Sequence, residues 1–167
     1  QVNDFATYNE NNFTNQEATK FVNYRIIGEI YSTNVSKDAD VSIAEQASTV
    51  MEQAVADLAE YSGSDMDKSA VMDMNYRYDD NLIVIYEQLA KENAENETAA
   101  NEYYSMAISY CEDYIGILKM KVDEDPSISL GGSSVNAYNQ SYYNKMITEA
   151  RCYDAQGKTD EALAIYE

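Results

Sequence analysis

Histidine and tryptophan are absent from this 167-residue chain, proline occurs once and cysteine twice. Without histidine the usual general base of neutral-pH catalysis is missing, together with the Glu-x-x-His motif of di-iron bundles and the common zinc sites. Neither of the glycine patterns that cradle phosphates, G-x-x-x-x-G-K-[ST] and G-x-G-x-x-G, occurs, and Gly131-Gly132 is an isolated pair that reads as a loop. Ser133 and Ser134 beside it have no base to activate them. These absences predict a protein that is not an enzyme, with no catalytic residue, no cofactor and no metal ligand. The longest apolar run, Leu82 to Tyr86, is far short of the roughly 20 residues that cross a bilayer, so no membrane insertion is expected.

Basic side chains are also scarce. Eleven stand against 30 acidic ones, giving a formal charge of -19, which repels phosphate backbones and anionic headgroups and removes nucleic acid from the expected partners. The carboxylates read first as a solvated, solubilising face and second as a surface for cations or basic partners. Hydrophobic residues nevertheless make up 45% of the chain, so it has the material for a folded core.

What is present is helical periodicity. Residues 1–13 show no period and read as a loose lead-in, while 14–167 read as one helical domain. The spacing predicts six helices, over about 15–32, 41–61, 65–93, 98–122, 135–156 and from 159 onward. The cleanest stripe is Val71, Met74, Tyr78, Leu82, Ile85 and Leu89, which steps by three or four throughout and excludes a strand. The fourth helix carries two adjoining stripes, through Tyr104, Ile108, Cys111 and Ile115 and through Tyr103, Ala107, Tyr110 and Tyr114, which predicts neighbours on two sides. Polar segments at Thr33 to Asp40 and Asp123 to Ser134 read as connections, the second a plausible hinge. Cys111 and Cys152 each lie in an apolar stripe and fit two readings, small buried hydrophobes or a single disulfide between neighbouring helices.

The acidic clusters lack the ligand spacing of a calcium loop. Asp65, Asp67 and Ser69 imitate the opening of a calcium loop, but Ala70 replaces the required glycine and Tyr76 stands where a bidentate Glu belongs. The sixteen tyrosines read as packing between helices, with any exposed cluster, such as Tyr138, Tyr142 and Tyr143, a candidate for binding.

The most specific pattern is at the C-terminal end, where Met146, Ala150, Tyr153, Gly157, Ala162 and Tyr166 follow one another at the spacings of a paired-helix unit. The stretch Tyr142 to Tyr166 resembles a tetratricopeptide repeat: large, small and aromatic residues on a first helix, Gly at the turn, then Ala and an aromatic on the second. Small residues let the helices approach and Gly tolerates the turn's backbone. Glu149 stands where that family usually has Leu, and the second helix is cut short at Glu167. The resemblance covers one partial repeat. It implies an all-α fold of about six antiparallel helices in stacked hairpins, a short solenoid or bundle. It also implies a groove-facing set of Asn144, Ile147, Arg151 and Asp154 that binds protein or peptide.

The expected function is therefore a non-catalytic protein- or peptide-interaction module. Abundant Tyr and Asn with sparse Lys suggest an exported bacterial protein, extracytoplasmic, of the envelope or secreted. The alternatives are the extracytoplasmic ligand-binding or sensor domain of a membrane receptor, which needs an enclosed pocket, and a spacer or homo-oligomerisation segment. Because the chain opens at Gln1 and its last helix stops in mid-pattern, the native protein is expected to continue at either end, or that helix to dock on its predecessor and fray.

Overall fold

A computed structural model describes residues 16–38, 41–64, 66–125 and 137–167. Among them are six α-helices and no strand: α1 (Gln16–Asp38), α2 (Val41–Ala59), α3 (Lys68–Glu92), α4 (Glu97–Glu124), α5 (Ala137–Ala155) and α6 (Thr159–Tyr166). None is long and apolar enough to cross a membrane. The chain divides into two compact units, Gln1–Ile85 and Tyr86–Glu167, with the division falling inside α3.

In the N-terminal unit α1 packs on α2, and the first turns of α3 complete the core. Phe21 and Ile27 of α1 are buried with Ala44, Ala47, Met51, Ala54 and Leu58 of α2, the α2 residues stepping by three and four along one side of the helix. The small residues of α2 draw the helix axes together, and Gly28 of α1 shows how closely: a Cβ there would lie 2.6 Å from Asn81 Nδ2 and 2.7 Å from Met51 Sδ. Val22 and Ile30 of α1 are exposed. The helix is apolar on more of its circumference than its neighbours cover.

Polar ties fix this unit's register. The buried Tyr78 hydroxyl donates to the Phe21 carbonyl at 2.6 Å, and Ser32 Oγ donates to Asn81 Oδ1 at 2.9 Å. Asp57 gathers three donors, the Lys20 ammonium, Tyr24 Oη at 2.9 Å and Gln53 Nε2 at 2.7 Å. The Lys20 hydrogen bond, aided by those of Gln53 and Tyr24, holds the Asp57 carboxyl below the usual carboxylate range against the opposing effect of desolvation.

Helix ends differ from the expected ones. Thr33 to Asp38, expected as a connection, is helical, because polar residues cost a helix only tenths of a kcal/mol each and do not stop it by themselves. Asp65, which opens the calcium-like triplet of the sequence, lies outside the described residues. Asp67 is a helix cap: its Oδ1 accepts from the Ala70 amide at 2.8 Å, at the start of α3. Asn96 does the same for α4 through the Ala99 amide at 3.3 Å.

The C-terminal unit comprises the end of α3 with α4, α5 and α6; α5 packs on both α4 and α6. Both stripes of α4 are covered, Ile108, Cys111, Ile115 and Leu118 in one and Ala107, Tyr114 and Ile117 in the other. Tyr86 of α3 stacks on two tyrosines of α4, with ring centroids 6.1 Å from Tyr103 and 5.9 Å from Tyr110. Cys111 and Cys152 are buried free thiols, so the disulfide alternative is not realised. Burial pushes both thiols up, Cys152 to about 12, and keeps them protonated and unreactive.

Candidate interaction surface

The surface that the sequence points to is built on α5, and its placement follows from the turn that ends that helix. Gly157 adopts φ +74°, the left-handed conformation glycine tolerates, and the Gly157 and Lys158 amides donate to the carbonyls of Asp154 and Tyr153, both at 2.9 Å. The Lys158 ammonium sits 5.6 Å from the Tyr153 ring centroid, closing the same turn from the side-chain face. The chain thus leaves α5 and enters α6 within three residues. Thr159 opens α6 as the spacing predicts, and Lys158 holds the cap position and makes no side-chain cap bond.

Ala150 and Ala162, the small residues expected in the α5–α6 contact, are 0% and 3% exposed. Tyr153 and Met146 are half-buried. Tyr166, expected to fill space in the same way, is 55% exposed at the last helical position, so the bulky half of the expected interlock is only partly formed. Gln156 ties the end of α5 to α4, donating to the Asn101 carbonyl and to Ser105 Oγ, both at 2.7 Å.

With those sides occupied, α5 presents one exposed stripe. Asn144, Ile147, Arg151 and Asp154 are all exposed, and successive steps of three and four residues keep them on one side of the helix. Tyr143, four residues before Ile147, extends the stripe; the two are 47% and 46% exposed. Tyr142 does not join them. One residue turns a helix by about 100°, and Tyr142 is half-buried on another side, with the Lys119 ammonium 5.9 Å from its ring centroid and the Tyr143 ring 5.4 Å away. The side chain of Tyr138 and the Gly131-Gly132 loop lie outside the described residues.

Arg151 is held rather than loose. Its Nη2 donates to Thr148 Oγ1 at 3.1 Å and lies 3.6 Å from Glu87 Oε1 on α3, which also faces Lys91 at 4.0 Å. Glu87 therefore borders the stripe, 64 residues away in the chain from Arg151. Its spacing to Lys91 marks a helix-surface ion pair, but nothing in the sequence links it to α5. On the α4 side, burial raises the pKa of half-buried Glu149, and the negative charge of Glu112 adds to the rise.

Tyr143 and Ile147 offer apolar area, Asn144 an amide, and Asp154 and Arg151 opposite charges. Among the described residues no three His, Cys, Asp or Glu side chains are placed to hold a metal ion. No family model, no curated protein and no solved structure matches this chain.

Proposed function

We propose that this protein is a non-catalytic interaction module that binds a protein or peptide segment along the exposed side of α5. The observation that carries this reading is the stripe Tyr143, Asn144, Ile147, Arg151 and Asp154, in which two large apolar side chains lie nearly half exposed on a helix already packed against α4 and α6. Aromatic and apolar anchors flanked by polar groups are what protein interfaces use at their centres. The tetratricopeptide resemblance of residues 142–166 supports the same reading, since the matched pattern belongs to helical arrays that bind peptides on a groove. The composition further suggests an extracytoplasmic bacterial protein, of the envelope or secreted.

Selection of peptides from a random display library on the full chain, followed by anisotropy measurements of the selected peptides, tests this. Ile147→Ser should weaken binding by about tenfold, the loss of one interface anchor. Selected peptides that bind the variant and the parent equally well would remove α5 as the binding surface.

A further inference from the structure

The stripe on α5 belongs to a unit whose cations are already engaged by its own side chains. Residues 86–167 carry fifteen acidic and six basic side chains. Three of the six lie over tyrosine rings: Lys119 at 5.9 Å from the Tyr142 centroid, Lys145 at 5.2 Å from Tyr114 and Lys158 at 5.6 Å from Tyr153. Lys91 and Arg151 both face the single carboxylate of Glu87, and Lys121 is buried. The potential outside this unit is therefore set by its excess of carboxylates. On the stripe itself Arg151 is turned toward Glu87 and Thr148, while Asp154, one turn further on, is exposed. An anionic segment approaching Ile147 meets like charge; a cationic one lowers the unit's self-repulsion.

Resting on the reading that this face binds a peptide, we propose that its partner is a cationic segment. An apolar side chain of the segment seats on Tyr143 and Ile147, and a lysine or arginine reaches Asp154. Seven helical residues separate Ile147 from Asp154, a rise of about 10 Å, which an extended peptide crosses in about three residues. The favoured partner thus carries a basic residue three positions from its apolar anchor. An arginine can engage the carboxylate through two parallel hydrogen bonds.

Two labelled peptides of equal length and leucine content, one with lysine and one with glutamate at the third position from each leucine, test this by anisotropy with the full chain. The lysine peptide should bind at least about tenfold more tightly and weaken as salt is added. Asp154→Asn should weaken it about threefold, Ile147→Ser about tenfold, and Asp113→Asn, which removes the same charge from an exposed site on α4, less than twofold. Equal losses from Asp113→Asn and Asp154→Asn would reduce the effect to general attraction and overturn the proposal. Equally tight, Ile147-dependent binding of the glutamate peptide would overturn the cationic partner and leave the face as a binding site. Failure of both peptides to bind in an Ile147-dependent way would overturn both readings.

Discussion

The two units share ring contacts between tyrosines and with cations, and differ in what the tyrosine hydroxyls add. In the N-terminal unit the hydroxyls add directed bonds to the ring contacts: Tyr78 donates to the Phe21 carbonyl from full burial and Tyr24 to Asp57, while the two rings meet edge to face and Lys20 lies over Tyr24. In the C-terminal unit the rings act: Tyr86 stacks on Tyr103 and Tyr110, and Tyr142, Tyr114 and Tyr153 each lie beneath a lysine. A hydrogen bond specifies register to a fraction of an ångström, whereas a ring face accepts stacking or a cation over a broad range of positions. The first unit is accordingly built around fixed helix positions. The second sets three of its six cations over its own rings and carries fifteen acidic side chains against those six.

Removing the ring from Tyr86 tests that contrast most severely. Tyr86→Ala should cost about 3–5 kcal/mol in denaturant unfolding, because a buried aromatic and two stacked partners are lost together. A cost near that of an exposed residue would show that the stack contributes little. Gly28→Val comes next, at about 2 kcal/mol, since the added carbon displaces Met51 and Asn81 and strains the Ser32–Asn81 hydrogen bond. Thermal melts that match the parent would show that the α1–α2 contact has slack.

Tyr78→Phe keeps the ring and removes only the donor, so its expected cost is about 1.5 kcal/mol. A loss below about 0.5 kcal/mol would erase the distinction between hydroxyl and ring. The smallest effects come from one carboxylate in each unit, and their signs oppose. Asp57 has a lowered pKa when folded, so its contribution is present above the ordinary carboxylate value of about 4 and disappears as pH falls through the folded value; Asp57→Asn should flatten that acid limb. Glu149 has a raised pKa when folded, so stability is lost as pH rises through the folded value, and Glu149→Gln should stabilise the protein slightly at neutral pH, by less than about 0.5 kcal/mol. Parallel pH–stability profiles of the two variants would contradict the opposite environments of these groups.

Much of this architecture is legible along the chain. Of the stripe Val71, Met74, Tyr78, Leu82, Ile85 and Leu89 the last four are buried and the first two half-buried, and both stripes of α4 hold buried residues, because helical period and burial are two expressions of one geometry. The left-handed Gly157 is legible for the same local reason. Gly28, a lone glycine within a helical pattern, carries the signal of a packing requirement, and it marks the close approach of Met51 and Asn81. α1 ends about six residues beyond the end that the spacing predicts, since weak propensities yield to tertiary context. Of the candidate surface, four residues share a side of α5 by period alone. That Tyr142 turns away to Lys119, and that Glu87 holds Arg151, depends on which helix lies beside which.

By itself the sequence determined the class of this protein: helices rather than strands, no histidine-based chemistry, and a strong negative charge. Periodicity and composition express local geometry and solvation, and these need no knowledge of neighbours. Tertiary structure alone decided which apolar side of each helix is covered, leaving Ile147 and Tyr143 outward while Ala150 is buried, and it brought Glu87 to Arg151 across 64 residues. Contacts between distant segments arise only when the helices pack, because the cost of closing the chain between them is offset by what the closed arrangement buries.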